Sequence, residues 1–270
     1  MIRVTIWYEY AQESGQLRRE FVREGISEEE FAGFSAALRR DAERIRAVYP
    51  KGMMETLRDA LQREPEMEVN LSGLYEPECG LSDAILDQTD VLIWWSHIFQ
   101  DAVPDALARK VVERVQRGMG FICLHSGHKS KPFMWLLGSS GTLKWREGDF
   151  CRVWTLSPAH PIAAGIPEHF ELEDEEMYGE PFDIAKPDDL IFASWFAGGE
   201  LFRAGCTWTR GYGRIFYFQP GHETCPSYHN PHVQRILANA VRWAAPTLWR
   251  EHMDCPNSVE PPEGKRARRL

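Results

Sequence analysis

The stretch Gly120-Phe121-Ile122-Cys123-Leu124-His125-Ser126-Gly127-His128 decides the fold of this chain. Its first half has the composition of a short, fully buried strand, and its second half turns abruptly small and polar. In open α/β sheets, ligand sites are built where such strands end at their carboxyl edge. A thiol, two imidazoles and a hydroxyl fall within the six residues 123–128, so we expect the functional site at this strand end.

Two other runs, at residues 3–7 and 91–95, also read as buried parallel strands. A helix is predicted between the second of these and the opening stretch, from Pro104 to the Arg117-Gly118 stop. Strand, helix and strand at this spacing form a right-handed βαβ unit. The sequence therefore predicts an α/β fold in which His97 and His125 lie at the same edge of a mostly parallel sheet.

The remaining segments extend this plan in both directions. Residues 14–48 are charged and helix-favouring, with a helix start at Ser27, and we interpret them as an insertion or lid. A crossover helix through residues 53–61 and a short strand at 68–71 follow it, while a β-hairpin at 204–218 and a helix at 231–243 close the fold. We expect one domain over residues 1–245 and a C-terminal extension or tail over 246–270.

The middle of the chain, residues 131–200, is expected to be less regular. Five carboxylates fall within residues 171–178, and such a run is usually a solvated face. We apply that interpretation to Glu171 and Glu173. Glu176 and Tyr178 remain candidates for the functional site.

Composition limits the classes of partner. Thirty-one basic residues against forty acidic ones give a net charge of −9, which argues against nucleic acid or an anionic membrane as the main partner. No apolar run approaches the ~20 residues of a membrane span, and no signal-peptide pattern is seen, so a cytoplasmic location is expected. The six cysteines show no paired spacing and are expected to be reduced thiols.

A set of polar side chains from four strand ends is expected to meet in one cleft: Glu9, His97, Cys123, His125, His222 and Glu223. One chemistry for this set is nucleophilic. Cys123 would attack, because a strand-to-helix turn and a nearby imidazolium stabilise a thiolate. His222 would then be its base and Glu223 would orient His222.

Two other chemistries use the histidines instead. His125 and His222 can act with Glu176 or Glu9 as general acid and base on a carbonyl or hydroxyl substrate. Alternatively, His97, His125 and His222, or two of them with a carboxylate, can hold one divalent metal such as zinc or manganese with an open position. The sequence lacks HExxH, CxxC, GxGxxG and P-loop motifs, so no nucleotide cofactor is indicated.

Several separated motifs resemble the ThuA-like family, named for trehalose utilisation, within the class I glutamine amidotransferase-like superfamily. The resemblance covers roughly residues 1–245 and implies a flavodoxin-like, three-layer α/β/α sandwich. The motifs are Trp7-Tyr8-Glu9, Val48-Tyr49-Pro50-Lys51-Gly52-Met53, Gly120-Phe121-Ile122-Cys123-Leu124-His125-Ser126, Asp174-Glu175-Glu176-Met177-Tyr178 and Pro220-Gly221-His222-Glu223.

The chain departs from the amidotransferases of that superfamily at two places. They carry a nucleophile elbow of the form G-x-C-x-G, whereas here Cys123 falls at the elbow and His125 replaces the second glycine. They also carry a late His-x-Glu, whereas His222 and Glu223 are adjacent. The resemblance therefore argues against glutaminase activity, and it makes His125 a more meaningful residue than Cys123, since the ThuA-like family generally has a small residue at the latter position.

The resemblance implies an enzyme of disaccharide or keto-sugar catabolism, acting on a trehalose-derived or related glycoside alongside a sugar dehydrogenase. The residues it favours are His125, His222 and Glu176 for catalysis, Glu9, Tyr178, Glu223 and Ser126 for substrate binding, and His97 as a third cleft histidine. Two alternatives stay open: a hydrolase that uses Cys123, and a non-catalytic sugar-binding protein. The aromatic content and the irregular middle segment also suggest a homo-oligomer.

Overall fold

A computed structural model describes residues 1–22 and 24–252 of the chain. These described residues form nine strands and seven α-helices. The strands are β1 Ile2–Tyr8, β2 Met67–Gly73, β3 Val91–Trp95, β4 Gly120–Leu124, β5 Lys144–Thr155, β6 His169–Gly179, β7 Asp189–Phe196, β8 Leu201–Arg210 and β9 Gly213–Phe218. The helices are α1 Ala11–Ser14, α2 Glu28–Val48, α3 Met53–Leu61, α4 Asp83–Leu86, α5 Asp105–Arg117, α6 Lys131–Leu137 and α7 Pro231–Ala244.

All nine strands form one sheet with the order β2-β1-β3-β4-β9-β8-β7-β5-β6. The strands from β2 to β9 in this order pair in parallel, and those from β9 to β6 pair antiparallel. The crossovers from β1 to β2 and from β3 to β4 run in opposite directions along the sheet. Because both are right-handed by rule, α3 and α5 cover opposite faces, and the α/β/α layers of a flavodoxin-like fold are confirmed.

The carboxyl ends of four parallel strands lie in one row. Tyr8 of β1 is opposite Trp95 of β3, Trp95 is opposite Leu124 of β4, and Leu124 is opposite Phe218 of β9. The residues that follow each strand must therefore leave the sheet side by side. This register brings His97 and His125 to the same edge, as their positions in the sequence predict.

Helix α2 begins at the helix start that the sequence predicts. Ser27 accepts a hydrogen bond from the backbone of Glu30, whose side chain in turn accepts one from the backbone of Ser27, and this capping box starts α2. Leu38, Asp41 and Arg44 of α2 form one wall of a pocket above the sheet edge. Residues 253–270, which include most of the expected tail, lie outside the described residues.

The expectation of an irregular middle segment is wrong. Residues 131–200 contain α6 and three strands of the antiparallel half of the sheet, β5, β6 and β7. The acidic run is strand β6, in which Glu171 and Glu173 are exposed while Glu176 and Tyr178 are buried. Breaks in register between β5 and β6, together with the last five residues of β6, which are all buried, interrupt the period of two that would identify these strands.

None of the helices within residues 1–22 and 24–252 is long and apolar enough to cross a membrane.

Gly120, the first residue of the decisive strand, has no room for a side chain. A Cβ atom there would lie 2.5 Å from the carbonyl oxygen of Ala244 at the end of α7. We therefore expect Gly120→Ala to lower the free energy of unfolding by about 1–3 kcal/mol, as overpacking of a core does. Urea denaturation monitored by circular dichroism measures this change.

Gly33 provides the matched control. It is exposed on α2, and a Cβ atom there would meet nothing within 4 Å. Gly33→Ala should leave the protein as stable as before or stabilise it by roughly 0.5–1 kcal/mol, because alanine favours a helix over glycine. Equal effects of the two substitutions would contradict the close packing of β4 against α7.

A candidate metal centre at the carboxyl edge of the sheet

Four side chains meet at the row of strand ends. His97 follows β3, His125 follows β4, His222 follows β9, and Glu176 comes from β6. One ligand atom from each lies within 4.8 Å of the others, and the three imidazole centroids are 5.2–5.7 Å apart. Three imidazoles and a carboxylate are a donor set that suits zinc or manganese.

His97 is held by Glu223, which follows His222 in the chain. The Nδ1 atom of His97 lies 2.8 and 2.9 Å from the two carboxylate oxygens of Glu223, so it donates to them. Burial alone would lower the pKa of His97, but the Glu223 carboxylate outweighs it and raises the pKa to about 9. The same contact holds the pKa of the buried Glu223 well below its usual range, against the effect of burial. Glu223 thus directs Nε2 of His97 toward the centre.

His125 occupies the tip of the strand-to-helix turn. Its φ of 49° is left-handed, which is uncommon for a residue other than glycine, and it begins the short 3₁₀ helix His125–Lys129. Its Nδ1 donates to the carbonyl oxygen of Gln219, 2.9 Å away. Since a carbonyl can only accept, the neutral ring carries its free lone pair on Nε2. The ring therefore presents a ligand atom to the centre.

Glu176 supplies the decisive contact. Its Oε2 lies 3.0 Å from Nε2 of His125, yet this buried oxygen accepts no hydrogen bond from any described residue. Two donors bound at right angles to one ion through bonds of about 2.0–2.2 Å lie roughly 3 Å apart. Burial raises the pKa of the Glu176 carboxyl, but the imidazole of His125 outweighs it and holds the pKa below its usual value. Burial likewise lowers the pKa of His125, but the Glu176 carboxylate outweighs it and raises that pKa, so without an ion the two groups form a buried ion pair. The pair has the arrangement of two neighbouring metal ligands.

His222 differs from the other two histidines because its Nδ1 accepts a hydrogen bond. The backbone N–H of Thr224, which can only donate, points to Nδ1 at 3.2 Å, and the hydroxyl of Thr224, which can also donate, lies 2.9 Å away. Burial lowers the pKa of His222 despite the nearby Glu223 carboxylate. The ring is therefore neutral near neutral pH and carries its proton on Nε2, which can donate to a substrate oxygen.

Two further buried carboxylates hold the loops that carry these histidines. Glu9 accepts hydrogen bonds from the backbone of Ile98 at 2.9 Å and of Phe99 at 2.8 Å, and so fixes the loop after β3. Glu175 accepts from the backbone of Gly221 at 2.8 Å and of His222 at 3.2 Å. Glu9 is completely buried, and its donors assign it a positioning role beneath the site.

Two pockets border the centre. The first, of about 410 Å³, has Gln12, Asp41 and Asp174 in its wall, and the second, of about 390 Å³, has Trp145 and Tyr178. Both include His97 and Glu176. Either pocket could therefore bring a ligand to the centre.

Ser126 and Tyr178 lie in the second pocket. The Tyr178 hydroxyl is 2.6 Å from Oγ of Ser126 and 3.2 Å from Nε2 of His125, and burial raises the pKa of Tyr178 well above its usual range. Tyr178 therefore stays protonated and able to donate. Ser126 and Tyr178, two of the four predicted substrate-binding residues, line the second pocket.

Cys123 does not lie at the tip of the turn, and that expectation is wrong. It is inside β4, completely buried, and a Cβ atom on Gly127 would lie 3.0 Å from its Sγ. Burial raises the pKa of the thiol well above its usual value. The residue at the tip is His125, two positions later, so this site does not stabilise a thiolate.

Sequence reasoning missed several residues that support the centre. Gln219 fixes the ring of His125, Glu175 fixes the loop after β9, and Gln12 donates to Glu9 from its Nε2 at 2.7 Å. Gln219 directly follows a predicted strand, which could have indicated its role. No such sign marks Glu175, because its neighbour Glu176 is buried too and the alternation of the strand is lost there.

Comparison with known proteins agrees with this fold. A family model described as ThuA, trehalose utilisation, matches residues 29–244. A ThuA-like protein of Parabacteroides merdae has a TM-score of 0.59 at 13% identity, with 96% of this chain and 95% of that chain covered. A ThuA-like protein of Bacteroides uniformis has a TM-score of 0.55 at 14% identity, with 90% of this chain and 91% of that chain covered. A cytoplasmic protein of Salmonella typhimurium has a TM-score of 0.53 at 14% identity, with 73% of this chain and 88% of that chain covered. No curated protein matches the chain.

The buried thiol leads to a prediction about alkylation. We expect iodoacetamide at neutral pH to leave Cys123 unmodified in the native protein, because the side chain is inaccessible and its raised pKa keeps it protonated. Among the cysteines of the described residues, Cys79 is partly exposed and should react first. Peptide mass spectrometry distinguishes the two sites. Fast labelling of Cys123 with loss of activity would instead support a cysteine nucleophile.

The contact between Glu223 and His97 predicts a change in titration. In metal-free protein, Glu223→Gln should move the pKa of His97 from about 9 to below 6.5, since burial then dominates. Because the pKa of His97 is higher in the folded state than its ordinary value of 6.5, protonated His97 stabilises the folded protein fully below pH 6.5. This stabilisation is lost as the pH rises through about 9. The variant should lack that decline. NMR titration of the histidines and urea denaturation at several pH values measure the two effects.

Asp174→Asn is the matched control for this titration. Asp174 is another carboxylate of the first pocket, but it does not hydrogen-bond to His97. The pKa of His97 should stay near 9 in this variant. An unchanged pKa in Glu223→Gln would show that Glu223 does not orient His97.

Proposed function

Because the chain belongs to the ThuA family of trehalose utilisation, we propose that it is an enzyme of carbohydrate catabolism that acts on a disaccharide or keto-sugar derivative at a divalent-metal centre. One observation carries the proposal. The buried Oε2 of Glu176 lies 3.0 Å from Nε2 of His125 and accepts no hydrogen bond from the described residues. Two unshared electron pairs that face each other in a buried site need a cation or a proton between them.

His97, His125 and Glu176 are the proposed metal ligands. The partners of both histidine Nδ1 atoms, the carboxylate of Glu223 and the carbonyl of Gln219, accept hydrogen bonds and leave Nε2 free to bind. A divalent ion supplies Lewis-acid polarisation of a sugar carbonyl or hydroxyl. The protein fixes the directions of its ligands before the ion binds, which lowers the cost of assembling the site.

His222 is the proposed acid and base. It stands next to the ligands, and because the backbone N–H of Thr224 donates to its Nδ1, the neutral ring holds its proton on Nε2. Its lowered pKa keeps the ring neutral at physiological pH, and it would accept a proton at Nε2 in the other tautomer, with Nδ1 donating to the Thr224 hydroxyl. His222 would then exchange a proton with a substrate hydroxyl or an α-carbon beside a carbonyl.

Ser126 and Tyr178 complete the proposed substrate contacts. Their hydroxyls share a hydrogen bond of 2.6 Å in the second pocket, next to Nε2 of His125. The Tyr178 hydroxyl stays protonated, so it can donate to a substrate oxygen near the centre. We assign both residues to orienting the sugar.

The cellular location, the oligomeric state and the linked enzyme are proposed from the family. We place the protein in the cytoplasm, in a homo-oligomer, and downstream of a sugar dehydrogenase that supplies a keto-sugar. The two competing functions have less support. A cysteine hydrolase would need a thiolate at Cys123, which is buried, and the description of the family as trehalose utilisation favours an enzyme over a protein that only binds sugar.

Metal analysis of purified variants tests the proposal. We expect about one zinc or manganese per chain in the wild type and its loss in His125→Ala and Glu176→Gln. His222→Gln should retain the metal but lose roughly 10²–10⁴-fold in turnover of keto-disaccharides, because only the proton-transfer group is removed. Elemental analysis and product chromatography measure the two quantities.

His169→Ala is the control for removal of an imidazole, since His169 is exposed on β6 far along the strand from Glu176. It should change neither metal content nor turnover. A metal-free wild type that turns over keto-disaccharides would overturn the metal centre, and loss of metal in His222→Gln would make that residue a fourth ligand instead of the acid and base.

A further inference from the structure

An apolar groove that the proposed chemistry does not use lies beside the candidate metal centre. It has a volume of about 420 Å³, and its wall is formed by residues of the segment 17–41 and of the loop that follows β3. All but one of the lining side chains are apolar, and the exception is Asp41. Phe21, Phe34 and Phe99 contribute aromatic rings to the wall. The groove therefore has the lining of a site for an apolar group.

The apolar groove is continuous with the first pocket at the centre. Leu38 and Asp41 of α2 and Ile98 after β3 line both cavities. The first pocket also includes His97 and Glu176, two of the proposed metal ligands. A small molecule held at the centre in the first pocket therefore has the groove directly beside it.

Ile98 is fixed at the junction of the two cavities. It follows His97 in the chain, and its backbone N–H donates to the buried carboxylate of Glu9 at 2.9 Å, as the backbone N–H of Phe99 does at 2.8 Å. Even so, 49% of the surface of Ile98 and 55% of that of Phe34 are exposed. Single exposed apolar residues are common on proteins, but these two line one concave groove, which is typical of a binding site.

The size of the groove favours a small molecule over a protein partner. A stable protein interface takes roughly 20–30 residues from each side, whereas ten residues line this groove. Its volume of about 420 Å³ lies within the ~300–1,000 Å³ of small-molecule sites. Because the first pocket carries charged side chains such as Asp174 and Glu176, a ligand that fits both cavities has a polar part and an apolar part.

We propose that the apolar groove binds an aromatic group attached to the sugar, so that the protein accepts glycosides with an aromatic aglycone. The sugar ring would lie in the first pocket, and the aglycone would pack against α2 and Ile98. Aromatic rings pack well against phenylalanine side chains, and burial removes their apolar surface from water. The inference rests on the proposed carbohydrate function and adds a part of the ligand that the metal centre does not recognise. Phe34 and Ile98 are its specificity-determining residues.

Calorimetric titration of the metal-loaded protein tests this proposal. The probes are phenyl and methyl D-glucopyranoside, each as both anomers, because the two compounds share the sugar and differ only in the aglycone. For at least one anomer, the wild type should bind the phenyl glucoside about tenfold more tightly than the methyl glucoside, since the phenyl ring buries more apolar surface. Equal affinities for both anomers, or no binding of either glucoside, would overturn the aglycone site.

Two substitutions change the groove in opposite ways. Phe34→Ala removes one aromatic side chain from the wall and should reduce the preference for the phenyl glucoside about fivefold. Ala37→Phe fills part of the groove and should abolish the preference. The affinity for the methyl glucoside and the metal content should stay as in the wild type, because neither residue lines the pockets at the centre.

Leu156→Ala and Ala32→Phe are the matched controls. Leu156 is an exposed large apolar residue, Ala32 is an exposed alanine of α2, and neither lines the groove or the two pockets. Both variants should keep the wild-type preference for the phenyl glucoside. An unchanged preference in Ala37→Phe would show that the phenyl group binds elsewhere.

Sedimentation analysis of the same variants tests for a second copy in the groove. If Phe34→Ala turned an oligomer into monomers, the groove would belong to an interface between copies and the aglycone site would be wrong. Loss of the phenyl preference alone, with metal-dependent turnover of keto-disaccharides intact in the wild type, would leave the proposed function standing. A wild type without metal, sugar binding or turnover would overturn both.

Discussion

The in-register ending of four parallel strands is the constraint on which the site depends. Tyr8, Trp95, Leu124 and Phe218 form one row across the sheet, so the chain leaves β1, β3, β4 and β9 at the same level. Side chains that are far apart in the sequence then meet without long loops, which would cost conformational entropy to order. The backbone hydrogen bonds between the strands place the three histidines together, more than contacts among the histidines do.

Buried carboxylates fix the loops and the ring orientations of the histidines that the strand register brings together. Glu9 fixes the loop after β3, Glu175 fixes the loop after β9, and Glu223 links the two by orienting His97. Each accepts several hydrogen bonds, which offsets the cost of burying a charge. The roles divide accordingly: these three carboxylates position the site, and Glu176 is the carboxylate left free to face the centre.

The parallel half of the fold could be predicted from the sequence because its strands are buried on both faces and therefore read as continuous apolar runs. The predicted ends of these strands identified His97, His125 and His222 as site residues, and the motifs shared with the family identified Glu176 and Tyr178. The antiparallel half could not be predicted well, since the pairing of β5 with β6 breaks register between Arg146 and Asp149 and residues 175–179 of β6 are all buried, so the alternation is lost. Roles that depend on hydrogen-bond direction, such as those of Glu9 and Gln12, leave no trace in residue spacing.

The position of His125 shows why a fold does not settle its chemistry. A residue at the tip of the strand-to-helix turn points over the edge of the sheet, whereas Cys123, two residues earlier, remains inside a closely packed strand. The left-handed backbone at position 125 is a local strain that a rigid surrounding structure must support, and such strain is typical of functional positions. Related solved structures share the sheet at only 13–14% identity, so the sheet can persist while the residues at its edge change. An imidazole at this tip, fixed by Gln219 and facing Glu176, favours binding a cation over covalent attack by a thiolate.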